Sequence, residues 1–151
     1  MSKGVDAITS KLNRLIAFQK NAMTFVMDAV VNDKDIVIDM VFEEQLFTDG
    51  INGLDVPIMD FKPYSPFTEM IKKEKGQPFD RVTLRGEGDF HDGGDLRRLD
   101  NVTSEIFSSD EKSESLQDKY GKEIFFLKQD NKNEISHFYV KPHLLKKLNA
   151  I

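Results

Sequence analysis

From about Val5 to Val31, apolar residues recur at three- and four-residue steps. Ile8, Leu12, Leu15, Ile16, Ala22, Met23, Val26 and Val30 fall along one face of a helix. Phe18, Phe25 and Met27 sit beside that stripe and broaden it. A stripe of this width on a long first helix suits two neighbours: the chain's own core and another subunit. Asn32-Asp33-Lys34-Asp35 interrupts the pattern and caps a second segment, with Ile36, Val37, Met40, Val41, Gln45 and Leu46 suiting a helix to about Phe47. IVIDMVF is also rich in β-branched residues, so a strand at Ile36–Phe42 is the alternative; the continuation through EEQLF favours helix.

Beyond this helical region the punctuation becomes denser. Thr48-Asp49-Gly50 and Asn52-Gly53 are turn chemistry, and the prolines of DVPIMDFKPY predict an extended segment. Ser65 is placed as the N-cap of a helix with Pro66 at its first position; Thr68, Met70, Ile71 and Lys75 follow in register. Gly76 supplies the left-handed stop, and Pro78 prevents a restart. Val82–Arg85 reads as a short strand, Gly86–Asp89 as a turn, and His91–Asp95 as a loop. Val102–Phe107 alternates with period two and predicts a strand ended by Ser108-Ser109-Asp110. Ser113–Tyr120 predicts a short helix stopped by Gly121, and Ile124–Leu127 a buried run. Asp130 or Asn131 opens a last helix with Ile135, Phe138 and Tyr139 facing inward, restarted by Pro142 through Leu144–Leu148. The expected architecture is α+β: a long N-terminal helix, a small antiparallel sheet with helices packed on it, and a C-terminal helix. One domain over residues 1–151 accommodates it, with a helical region at 1–47 and an α+β body at 48–151.

Composition narrows the functional classes. The chain has 151 residues, a hydrophobic fraction of 39% with twelve Phe, and no Cys. It can therefore fill a core, while disulfides, zinc–thiolate sites and thiol catalysis are excluded. The net charge of −5 opposes a sequence-independent grip on phosphates but allows passive proximity to DNA. No run approaches about 18 apolar residues and no apolar leader opens the chain, so neither membrane span nor signal peptide is expected.

Glu87, Asp89, His91, Asp92 and Asp95 form the sharpest constellation that could ligate a divalent cation or activate water. Its spacing does not match a calcium loop, and Gly-rich turns collect Asp for conformational reasons alone. Arg85, Arg97 and Arg98 flank the loop and are expected to pair with Asp89, Asp95 and Asp100. Lys72-Lys73-Glu74-Lys75 reads as a solvated helix face. His137 and His143 lack the i, i+4 spacing of a helix-borne metal site. Nucleophile-elbow, P-loop, dinucleotide-binding and kinase signatures are missing from the sequence. The expectation is a non-enzyme without cofactor or metal.

Two stretches carry a resemblance. YSPFTEMIKKEKGQPFDRVTLRGEGDF and SSDEKSESLQDKYGKEIFFL resemble small virion proteins of tailed phages of Bacteroidetes, including the crAss-like phages. The shared elements are Tyr64–Thr68, Lys72–Leu84, Gly88-Asp89-Phe90, Lys119–Leu127 and Pro142 within its helix, spanning roughly Gln45 to Leu148. The layout is also similar to the wider tail-completion and neck family. Glu87-Gly88-Asp89-Phe90 stands here where that family has a Thr-Gly-Asp-Phe turn. The resemblance implies a head–tail connector or tail-completion subunit in the virion, assembled in the host cytoplasm. Such a subunit forms a ring of like copies and docks to portal, adaptor or tail proteins, with no membrane contact. Candidate interface residues are Leu12, Leu15, Phe18 and Phe25 on the first helix, Met59, Phe61 and Tyr64 on the proline-flanked segment, and Glu87, Asp89 and Phe90 at the acidic turn. The rival readings are a metal-dependent nuclease built on Asp89, His91 and Asp92, and a monomeric adaptor module.

Overall fold

The computed structural model describes residues 3–151. Its architecture is α+β: a long N-terminal helix, a two-stranded antiparallel sheet and a helical C-terminal segment. Helix α1 (Lys3–Asn32) realises the first stripe, and α2 (Lys34–Asp39) runs without a break into a π-helical stretch, Met40–Asp49. Ile36–Phe42 is thus helical, as the continuation through EEQLF indicated. The π-helix ends at Gly50, whose φ of 64° is the left-handed stop, and the Ile51 amide bonds back to the Gln45 carbonyl at 2.9 Å.

Gln45 explains why a polar residue occupies that helix's core face. It is fully buried. Its Nε2 donates to the Phe126 carbonyl (2.9 Å), and its Oε1 accepts from the Lys128 amide (2.8 Å) and Asn131 Nδ2 (3.1 Å). One amide thereby fastens the π-helix to the chain some eighty residues later, with every partner satisfied.

Helix α3 (Pro66–Glu74) begins where its cap predicts. The Ser65 hydroxyl accepts from the Thr68 amide at 3.1 Å, and Gly76 follows with φ 65°. The segment before it is not extended throughout, because Ile58–Asp60 forms a 3₁₀ turn. Val82–Arg85 is not a strand. Val82, Thr83 and Leu84 are buried, and Leu84 adopts a left-handed φ of 54°. Side chains take the place of a ladder. Tyr64 Oη accepts from the Thr83 amide (3.2 Å), and His91 Nε2 bonds the Thr83 carbonyl (2.9 Å). Lys72 Nζ donates to the Arg85 carbonyl (3.0 Å), and Gln77 Nε2 to that of Gly86 (2.9 Å).

The expected loop at His91–Asp95 is instead a short helix, α4 (Asp89–Asp92), and the start of β1 (Gly94–Arg98). Strand β1 pairs antiparallel with β2 (Ser104–Ser108), Gly94 facing Ser108 and Arg98 facing Ser104. Glycine is required at 94 because a Cβ there would meet the Phe42 ring at 2.6 Å. Strand β2 starts later than the alternation suggests, since Asp100 Oδ1 captures the Val102 amide (2.8 Å) and holds that residue in the turn.

Helix α5 (Ser113–Tyr120) and a 3₁₀ turn at Lys122–Phe125 lead to α6 (Gln129–Ile135), a π-turn at Ser136–Val140 and α7 (Lys141–Asn149). Ile124 and Phe125 of the expected buried run are core; Phe126 is exposed. Ile135 faces inward and Tyr139 is half-buried, but Phe138 is 64% exposed. The π-turn adds a residue before Pro142, and one residue rotates a helical phase by about 100°.

Two apolar clusters result. One gathers Phe42, Leu46, Ile58, Val82, Phe90 and Phe125 among others, and the second Ala29, Val37, Met40, Leu96, Ile135 and Val140. Ile38, Ile106 and Leu127 pack against both. The arginines beside the acidic turn are paired, with partners other than those expected. Arg85 meets Glu43, Arg97 meets Glu105, and Arg98 meets Asp28 on α1, while Asp95 meets Lys34.

Candidate functional site

At 30 residues, α1 is about 45 Å long, and only its C-terminal part packs on the body. Every residue from Lys3 to Ala17 is exposed. The stripe nevertheless continues through this arm: Ile8 is 71% exposed, Leu12 53%, Val5 49%, Ile16 42% and Leu15 39%. Farther along, Val26 and Val30 of the same stripe are half-buried against the second cluster, with Met27 beside them and Ala29 buried, while Met23 is still 58% exposed. One periodic pattern therefore serves two environments, a packed half and an uncovered half.

The base of the arm is anchored. Phe18 and Phe25, both half-buried, lie with ring centroids 5.4 Å apart, and Lys147 of α7 sits over Phe25 at 4.8 Å. Arg14 Nη1 donates to the Ile151 carbonyl at 3.0 Å. Phe18 also lines a cleft with Leu144, Leu145 and Leu148 of α7, so the apolar surface of the arm passes onto the last helix.

The other candidates divide between two places. Met59 is half-buried against the first cluster, and Phe61 is exposed beside it in sequence. Tyr64, Glu87, Asp89 and Phe90 are brought together around one pocket of about 220 Å³, which also involves Lys72, Leu84, Leu116 and Tyr120. Phe90 belongs to its floor. At 4% exposure it packs between the rings of Phe42 and Phe125, too buried to meet the surface of another subunit while still lining the pocket. Glu87 is exposed and bonded to Lys75 at 3.0 Å; that hydrogen bond, then the ammonium charge, holds its carboxyl below the usual range.

Lys72 was expected on a solvated face and is buried instead, while Phe67 and Met70 of the same helix face outward. A sequence signal existed: Lys72 lies four residues after Thr68 and one helical turn before the Gly76 stop, on the side that must meet the following segment.

The acidic turn does not converge on a metal site. His91 is buried, with Nε2 committed to the Thr83 carbonyl and its ring edge-on to Phe42, Phe47 and Phe90. Its Nδ1 has no hydrogen-bond partner and lies 3.9 Å from Glu43 Oε1. Burial is the largest influence on this imidazole and pushes its pKa down, against the Thr83 bond and the Glu43 charge. Asp89 and Asp92 point to solvent, and among the described residues no group of three or more carboxylates and imidazoles is arranged to hold a metal ion. Among the same residues no helix is long and apolar enough to cross a membrane. Comparison of the chain with protein-family models, with curated proteins and with solved structures found no match in any of the three.

Proposed function

We propose that this chain is a structural subunit of a tailed-phage virion at the head–tail junction, a connector or tail-completion protein. It self-associates into a ring and docks to portal, adaptor or tail proteins after assembly in the host cytoplasm. The observation that carries the assembly role is the uncovered half of α1, whose apolar stripe is left exposed by the described residues. The virion assignment rests on the resemblance of the Tyr64–Phe90 and Lys119–Leu127 stretches.

Charge supports a head-to-tail arrangement over arm-on-arm bundling. Within residues 1–25, Lys3, Lys11, Arg14 and Lys20 outnumber Asp6, giving +3 and leaving −8 for the remainder of a chain whose total is −5. Like arms repel, whereas an arm is drawn to the acidic body of another copy. Ring contacts of this kind require two different complementary surfaces on each subunit. Particles carrying a chain that lacks residues 1–13 test the reading. Loss of the protein from the particle supports it, and normal incorporation overturns the role of the arm.

A further inference from the structure

The pocket at the central segment holds a group that the packing of the chain leaves uncompensated. Lys72 is 7% exposed, yet its ammonium meets only neutral partners: the Arg85 carbonyl at 3.0 Å, Gln77 Oε1 at 3.5 Å and the Tyr64 ring at 5.0 Å. Among the described residues no carboxylate oxygen lies within 4.0 Å of its Nζ. A buried cation without an anion is costly, and the usual remedy is a paired carboxylate. Here the space beside it is open: Lys72 lines the pocket of about 220 Å³, with Leu84, Phe90 and Leu116 and the rings of Tyr64 and Tyr120 as apolar walls. Leu84 forms its wall with φ 54°, a conformation a bulky residue rarely adopts, and the surrounding side-chain hydrogen bonds hold it there.

We propose that this pocket binds a small molecule or chain end made of one carboxylate on an apolar body, with the carboxylate at Lys72 and the body against Leu84, Phe90 and Tyr120. The acidic residues near it do not contradict this. Glu87 and Asp89 are exposed to water that screens them, and Glu87 is already paired with Lys75; Asp110 is half-buried, with its Oδ1 accepting from the Lys112 amide at 2.8 Å. Lys72 is the cation set among the apolar walls, with its Nζ 3.0 Å from the Arg85 carbonyl and no carboxylate beside it among the described residues. Lys112 also lines the pocket, while Arg85 is paired with Glu43. The site does not rest on the virion reading, since it follows from Lys72 and the cavity alone.

The test is a titration of the ¹⁵N-labelled full chain with hexanoate, and in parallel with 1-hexanol, which has the same body without the charge. Hexanoate is expected to shift the amides of Tyr64, residues 84–90 and Tyr120, and to bind about tenfold or more tightly than hexanol. In Lys72→Met, which keeps the buried stem and removes the charge, the two probes should bind alike. Equal affinity of the native chain for both probes overturns the proposal, as does hexanoate leaving those amides unmoved; neither result depends on the variant folding. N-acetyl-alanyl-leucine with a free carboxylate distinguishes the sources. Tighter binding than hexanoate assigns the site to a chain terminus, and weaker binding assigns it to a free acid.

Discussion

Replacing Ile8 and Leu12 together by Ser separates what the arm does for the fold from what it does for assembly. Both side chains are more than half exposed, so the monomer should lose within about 0.5 kcal/mol for each, chiefly from helix propensity. In an assembly that covers the stripe the same change is large. At 71% and 53% exposure the pair offers a little more than one full aliphatic side chain for burial. That surface contributes about 2–4 kcal/mol per interface, or roughly 30- to 900-fold in dissociation constant. Sedimentation velocity across a wide concentration range, paired with thermal unfolding, reads both quantities. The expected result is an unchanged Tm and a self-association shifted to much higher concentration. A native chain that stays monomeric throughout, a double variant that associates equally well, or a Tm lowered by many degrees would refute the reasoning.

Other expectations concern the interior. Gln45→Leu should destabilise the chain by roughly 3 kcal/mol or more in chemical denaturation, because it strands the Phe126 carbonyl and the Lys128 amide together. Gly94→Ala should cost about 1–3 kcal/mol by forcing the Phe42 ring from its place, seen as a fall in Tm. The depressed pKa of His91 means that the unfolded chain binds the proton more readily. Its contribution to stability is therefore complete above about pH 6.5 and declines as the pH falls below that value. Tm measured between pH 7.5 and 5 should drop in the native chain and drop less in His91→Gln, whose amide can still donate to the Thr83 carbonyl.

What the sequence made legible was local. The Ser65 cap, the Gly76 stop and the break at Gly121 each depend on a few neighbouring residues, and all appear where the pattern puts them. The α1 stripe was equally plain, but periodicity identifies a face and not what covers it. Its end packs on the second cluster through Val26 and Val30, while Val5 to Ile16 are bare. Val82–Arg85 carries strand-like composition because it is buried. Its backbone is satisfied by Tyr64, Lys72, Gln77 and His91, which no local pattern announces. Strand β1, GDLRR, has one apolar residue to mark it, and that residue, Leu96, belongs to the second cluster. Lys72 was concealed by its charged neighbours. Phe138 was misplaced because the π-turn shifts the helical phase. Tyr64, Glu87, Asp89 and Phe90, expected as interface residues, line one pocket, and Lys72, which lines it with them, read as surface.

The most direct test of the assembly role is proteomics of purified virions together with cryo-electron microscopy of the portal–tail junction. The account predicts this chain in a small fixed copy number, arranged as a ring with the α1 arm of each copy covered by its neighbour. Its absence from particles, or a ring in which Ile8 and Leu12 remain bare, would contradict that account.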